Sequence, residues 1–229
     1  MTFKDKIIVI TGASQGFGKA LAQALKKEGA QVVISSHDEK NLENTAKELL
    51  VDFFLADVTV FENVKKLSEY VIGKYRRIDV WINNAGIQIA PSLVEEVNLQ
   101  RLHDLFDVNF FGYFYGCQIA LSQMKKQNEG VIININSTAG LEGKPEISAY
   151  VSSKFAIKGL TESIRKENKD SDIKVYGIFP GGMQTDIYKE KYPNDLKDYM
   201  DIDSVIEKVM VNLKSENPEI DFVIKRPSK

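Results

Sequence analysis

KIIVITGASQGFG, residues 6–18, is the stretch on which the fold turns. Residues 6–11 are β-type and almost continuously apolar. A strand with that pattern is covered on both faces, as in a parallel sheet. Glycines at 12, 16 and 18 break the strand into a turn, and FGKALAQALKKE (17–28) reads as a helix with Gly29 at its C-cap. The unit then repeats. QVVIS (31–35), DFFLA (52–56), IDVWIN (78–83), VIININ (131–136), IKVYGIF (173–179) and IDFVI (220–224) read as strands. Helical patterns fall at 39–50, 60–75, about 98–127, 149–166 and 202–214. Strands alternating with helices predict right-handed βαβ units. The expectation is a doubly wound α/β fold: a parallel sheet of about seven strands with helices on both faces, in three layers. No linker, repeat or low-complexity segment divides it, so residues 1–229 read as one domain.

Composition narrows the function. A chain of 229 residues with 43% hydrophobic content can bury a full core, and its net charge of −2 gives no general attraction to nucleic acid or an anionic membrane. No apolar run approaches the ~20 residues that span a bilayer, and the four apolar residues that open the first strand are too few for a signal-peptide core. The single cysteine, Cys117, rules out an intrachain disulfide and suits a reducing cytoplasm. Two distant histidines, His37 and His103, without a Cys-His cluster argue against a zinc site, so no metal is expected. Trp81 and Cys117 read as core, and the closing KRPSK (225–229) as a solvated tail.

In TGASQGFG (11–18), Gly12 permits a sharp turn off the strand, Gly16 admits a close backbone approach, and Gly18 lets the helix lie tightly on the strand. The helix N-terminus then faces an anion such as a pyrophosphate. NNAG (83–86) ends the fourth strand, beside the point where the strand order of such a sheet reverses and where ligands bind; an ordinary Asn-rich turn reads the same way. Further on, Ser137 follows a strand, Tyr150 comes thirteen residues later, and Lys154 four after that. On a helix, Tyr150 and Lys154 stand one turn apart on one face. An ammonium about 5 Å from a phenol favours phenolate by roughly 3 kcal/mol at an effective dielectric of about 20, or about two pKa units. A buried tyrosine beside a snorkelling lysine has the same spacing.

Taken together, TGASQGFG, NNAG, Ser137 and Tyr150-x-x-x-Lys154 resemble the short-chain dehydrogenase/reductase family in its short single-domain form, over nearly the whole chain. The resemblance implies a Rossmann fold and an NAD(P)-dependent oxidoreductase that moves a hydride between a nicotinamide and a carbonyl or alcohol. Position by position, it makes Tyr150 the proton donor or acceptor. Lys154 lowers its pKa and bonds the nicotinamide ribose, and Ser137 orients the substrate carbonyl. Asn109 holds a water in a proton relay, although it falls inside the long helix, where an ordinary polar residue or a local distortion fits equally. For the cofactor, the resemblance implies Gly12, Ser14, Gln15, Gly16, Phe17 and Gly18 in the glycine turn and Ser36 and His37 after the second strand. It adds Asp57 and Val58 at the adenine, Asn84, Ala85 and Gly86, and Pro180, Gly181, Met183 and Thr185 at the nicotinamide, with Tyr150 and Lys154 shared. Asp57 also reads as a cap for helix 60–75.

Two departures stand out. Asn136 precedes Ser137 where the family often has serine. Ser36 stands where NAD-specific relatives carry an acid, His37 where NADP-specific ones often carry arginine, and Gln15 where many NADP users are basic. Without an acid, a 2′-phosphate has room, with Ser35, Ser36 and His37 as donors, while Asp38 is placed to swing back to a ribose hydroxyl. The expectation is NADP, with NAD as the alternative. About 183–200 is the substrate-side loop, where Met183, Tyr188 and Tyr192 either line the pocket or only pack the lid; Ile87, Leu141 and Ile147 either line the pocket or are core. Phe110, Phe111, Tyr113, Phe114 and Tyr115 crowd one helix, and Ser152, Ser153, Ala156 and Gly159 keep another thin. Apolar surface of this kind marks an interface, and in the family these helices (about 98–127 and 149–166) pair in a homodimer or homotetramer. The competing function is a non-catalytic dinucleotide-binding sensor of redox state.

Overall fold

The structure, a computed structural model, describes residues 1–226. Its strands are β1 (Ile7–Thr11), β2 (Gln31–Ser36), β3 (Asp52–Leu55), β4 (Val80–Asn83), β5 (Glu129–Ile135), β6 (Asp172–Pro180) and β7 (Asp221–Ile224). They pair in parallel as one sheet in the order β3-β2-β1-β4-β5-β6-β7. The helices are α1 (Gly16–Lys27), α2 (Glu39–Leu49), α3 (Phe61–Tyr75), α4 (Leu99–Phe106), α5 (Gly112–Gln127), α6 (Ser148–Glu167) and α7 (Ile202–Lys214). This is the doubly wound, Rossmann-type architecture expected from the alternation.

The β1 pattern explains the layering. Successive side chains leave a strand on opposite faces, so Ile8 and Ile10 join Leu21, Leu25, Leu42 and Val209 under α1, α2 and α7. Ile7 and Val9 join Val64, Leu67, Cys117 and Met124 under α3 and α5. Trp81 and Cys117 are core, as read. The order reverses between β1 and β4, which opens a crevice at their carboxyl ends.

One expected helix is three pieces. Between α4 and α5, residues Asp107–Phe111 form a π-helical segment. Packing forces it. Asn109 is wholly buried, and its side chain bonds the backbone of Ile87 on the β4 side. Gly112 presses so close that a Cβ there would lie 2.9 Å from Val58 Cγ2. A widened turn satisfies both constraints, and such bulges gather at functional sites.

The two helices expected at an interface need sorting. Phe111, Phe114 and Phe155 are exposed apolar residues of this face, and Gly159 has open space beside it. Tyr113 and Ser153 are buried instead, so they belong to the interior. Nor is Arg226 a solvated tail residue: its guanidinium lies 4.2 Å from the Tyr199 ring centre and pairs with Asp195 at 3.1 Å. The rest of the KRPSK segment, Pro227 to Lys229, lies outside the described residues.

Candidate active site

The β1–α1 turn is built to let something approach. Gly12 has φ +64°, and a Cβ there would lie 2.5 Å from Ala85 Cα. Gly18 is equally confined, since its Cβ would lie 2.4 Å from Asn84 Nδ2. That amide braces the turn by donating to the carbonyls of Thr11 (3.0 Å) and Gly12 (2.8 Å). Gly16, at φ +55°, instead faces open space, the nearest atom to its Cβ position being Thr185 Cγ2 at 4.0 Å. No side chain caps α1, whereas Asp38, Asn98 and Asp201 cap α2, α4 and α7. The first-turn amides of α1 are thus left for a ligand, the arrangement suited to a phosphate.

A groove of about 1240 Å³ runs from this turn across the sheet. Small-molecule sites are commonly about 300–1,000 Å³, so a dinucleotide and a small substrate fit together. The glycine-turn residues, Ser36, His37, Asp57, Val58, Asn84, Ala85, Gly86, Pro180, Gly181, Met183 and Thr185 line it, whereas Ser35 and Asp38 do not. Asp57 is not the cap of α3, because the N-cap is Val60, which makes no side-chain bond. Its carboxylate accepts instead from Thr59 N (2.9 Å) and Thr59 Oγ1 (2.8 Å). Ser35 does not line the groove and is fully buried on β2, so it is withdrawn as a donor. Asp38 is withdrawn as a ribose ligand, because its carboxylate is engaged by Asn41 N (3.1 Å) and Asn41 Nδ2 (2.6 Å).

Ser137, Tyr150 and Lys154 all line the same groove. β5 delivers Ser137, where its hydroxyl accepts from Ala139 N (3.1 Å). α6 carries Tyr150 and Lys154 one turn apart, with Lys154 Nζ 5.6 Å from the Tyr150 ring centre. The sequence argument expected the ammonium to depress the phenol. With protein groups alone around the pair, burial pushes Tyr150 up to about 12, against a downward pull from the Ser137 hydroxyl hydrogen bond. Burial also pulls Lys154 down to about 7. A lysine that gives up its proton near neutrality exerts little Coulomb pull, so both groups rest in their neutral forms above pH 7.

The sequence did not single out what holds this pair. Asn136, the departure before Ser137, accepts from Ser137 N (2.9 Å) and donates to Lys154 O (3.1 Å), tying β5 to α6. Tyr113 donates to Ile135 O (2.7 Å), and its ring centre lies 5.5 Å from Lys154 Nζ. Lys154 Nζ reaches the same carbonyl at 3.4 Å. Asn109 does not itself line the groove. It sits behind Gly86, whose Cβ would be 3.4 Å from Asn109 Oδ1 and 3.9 Å from Lys154 Nζ. Its amide is occupied by Ile87 O (2.9 Å), Ile87 N (2.8 Å) and Ser153 Oγ (3.2 Å). Asn136 and Tyr113 are polar neighbours of the motif positions, which is the only signal the sequence held for them, whereas Asn109 came from the family resemblance.

Over the substrate end lies the 183–200 segment, with short 3₁₀ turns at Asp186–Tyr188 and Leu196–Asp198. Met183, Tyr188 and Tyr192 line the groove, as do Ile87, Leu141 and Ile147. Tyr188 packs edge-on against Tyr199, ring centres 5.5 Å apart, and burial raises its pKa beyond the usual phenol range. Glu190 ties this segment to the far wall, pairing with Arg101 and accepting from Ala90 N at 3.0 Å.

Fold and groove together define an α/β protein shaped for a dinucleotide, with a serine, a tyrosine and a lysine at the reaction end. The family model described as short chain dehydrogenase matches residues 6–196, and the chain belongs to that family and is one of its oxidoreductases. It is 33% identical over 227 residues to an uncharacterized oxidoreductase of Staphylococcus aureus, covering 97% of each chain. To a 3-oxoacyl-acyl-carrier-protein reductase of Thermotoga maritima it is 33% identical over 203 residues, covering 86% of this chain and 82% of the other. Among solved structures, it matches an alcohol dehydrogenase of the archaeon Thermococcus sibiricus complexed with 5-hydroxy-NADP at TM-score 0.89 and 27% identity. That match covers 99% of this chain and 100% of the other. An NAD⁺-bound xylitol dehydrogenase matches at TM-score 0.87 and 26% identity, with 99% and 100% covered. No helix among the described residues is long and apolar enough to cross a membrane.

Proposed function

We propose that this protein is an NAD(P)-dependent dehydrogenase/reductase acting on CH–OH and C=O groups, with Tyr150 as general acid and base. The observation that carries the reading is the meeting of Ser137, Tyr150 and Lys154 in the one groove that starts at the uncapped α1 terminus. The chain works as a single NAD(P)-binding domain with 183–200 as its substrate loop, and its free, buried Cys117 suits the cytoplasm. NADP is the preferred cofactor, since no acid stands at Ser36.

The cofactor, when bound, supplies the hydride. The α1 amides would hold its pyrophosphate, Asp57 the adenine amine, Lys154 the nicotinamide ribose, and Pro180, Gly181 and Thr185 the nicotinamide. Ser137 donates a hydrogen bond to the substrate oxygen. Tyr150 gives its proton to that oxygen in reduction and takes it back in oxidation. Asn109 and the widened turn around it support the proton path behind Gly86. Positioning and directed dipoles supply most of the acceleration. A sensor needs no such convergence of hydroxyl, phenol and amine, so the non-catalytic reading is not favoured.

The test is a panel of ketones, aldehydes, hydroxy acids and alcohols, followed by the absorbance of the reduced nicotinamide with each cofactor. Turnover of at least one substrate, with NADPH or NADP⁺ ahead, is expected. Tight cofactor binding with silence across the panel would favour the sensor, and a tenfold preference for NADH would reverse the cofactor choice. The exposed apolar face around Phe111, Phe114 and Phe155 is the proposed dimer contact. Light scattering should give two or four times the 25.8 kDa chain mass, and Phe114→Asp should lower it; a monomeric wild type would refute the contact.

A further inference from the structure

The end of β2 has neither the acid nor the arginine by which relatives choose a cofactor, so something else must meet a 2′-phosphate if NADP is used. Ser36 is half of that seat. Its hydroxyl accepts from Ser14 Oγ at 3.0 Å and from Asp38 N at 3.2 Å, which leaves its own proton to donate. His37 is exposed at the same lip of the groove. Asp38, the nearest carboxylate in sequence, is held at the α2 N-cap by Asn41.

A lysine of the 183–200 segment lines the same groove. The substrate loop begins over the glycine turn, with Thr185 Cγ2 4.0 Å from the Gly16 Cβ position. A short 3₁₀ turn, Asp186–Tyr188, joins Thr185 to Lys189. On either side of Lys189 the chain is pinned elsewhere: Tyr188 on Tyr199, and Glu190 on Arg101 and Ala90. Lys189 itself is exposed, lines the groove, and forms no ion pair within 4.0 Å among the described residues. Asn41 hydrogen bonds hold the Asp38 carboxyl low, and the charges of His37 and Lys189 add to the effect.

We propose that Lys189, carried by the substrate loop rather than by the glycine turn, is the cation that with Ser36 and His37 selects a 2′-phosphorylated dinucleotide. This rests on the dinucleotide reading above. It also makes the segment that covers the substrate answer to the identity of the cofactor.

Binding of NADPH and of NADH to the intact protein, without substrate, is to be titrated by the fluorescence of the reduced nicotinamide. Lys189→Ala should weaken NADPH about tenfold, the scale of one charge-assisted hydrogen bond, and leave NADH within about twofold. Lys189→Arg should keep the preference, and added salt should narrow the NADPH advantage in the wild type but not in Lys189→Ala. Equal weakening of both nucleotides would place Lys189 on the pyrophosphate or in the loop's own packing and overturn the inference, as would no change in either. If the wild type bound neither nucleotide, the dinucleotide reading would itself fail, and this inference with it.

Discussion

Tyr150→Phe is expected to bind NADPH as the wild type does and to turn over substrate at least about a thousandfold more slowly, within the 10²–10⁴ range that one positioned acid contributes. The substitution removes one oxygen and keeps the ring. That ring packs with Ile89, Leu105, Ala139, Ala149 and Val151, so the fold and the α6 backbone should survive. What disappears is a phenol beside Ser137 and Lys154 that keeps its proton at neutral pH, because burial holds it near 12. The same fact predicts a direction dependence in the wild type. Carbonyl reduction should stay level through neutral pH, where the phenol is protonated, while alcohol oxidation should climb with pH as the phenolate becomes accessible. Stopped-flow turnover beside equilibrium nucleotide titration checks both. A variant that kept a tenth of the wild-type rate on a verified substrate would remove Tyr150 from the role of acid and base.

Lys154→Met should lose at least about a hundredfold in kcat/KM, because it removes the amine proposed to hold the nicotinamide ribose, and misplacing a reacting group by about 1 Å can cost that much. Its affinity for the dinucleotide should fall, a change that Tyr150→Phe should not share. Stability gives an independent readout. Burial sets Lys154 at about 7 in the folded protein, while the unfolded chain keeps the ordinary lysine value of about 10.4. Between those values the unfolded state holds more protons, so the lysine makes the fold more stable as pH rises and less stable as pH falls towards 7. Its slope in that window reaches at most about 1.4 kcal/mol per pH unit. Above pH 10 the raised phenol of Tyr150 opposes it, since that contribution is lost as pH climbs from about 10 to about 12. Urea unfolding of wild type and Lys154→Met at pH 7.5, 8.5 and 9.5 isolates the lysine, because other groups cancel in the difference. Parallel stability curves for the two proteins would show that Lys154 is solvated and charged, and the neutral-pair account would be wrong.

Much of the fold was legible because local rules sufficed. A strand apolar on every residue, like Ile7–Thr11, can sit only in a sheet covered on both sides, and Gly12 at φ +64° marks a turn that any Cβ would block. The i, i+4 spacing put Tyr150 beside Lys154 without any tertiary information, and the groove lining agrees with the motif positions. Less was legible at the ends of the cofactor groove. Ser35 and Asp38 looked as available as Ser36, yet strand parity buries the first and the α2 cap engages the second. Tyr113 and Ser153 looked like surface from their neighbours, and both turn inward under Lys154 and Asn109.

The amino-acid sequence by itself determined the order of strands and helices, the glycine turn and the placement of Tyr150 one turn from Lys154, because each follows from periodicity, backbone freedom or fixed spacing within a few residues. Only the tertiary structure decided how those side chains are charged and what steadies them. Burial of Tyr150 and Lys154 reverses the sign of the shift expected for the phenol, and Asn136, Tyr113 and the π-helical turn at Asn109 act across elements far apart in the chain. Desolvation and long-range hydrogen bonding depend on which segments meet, and no local pattern records that.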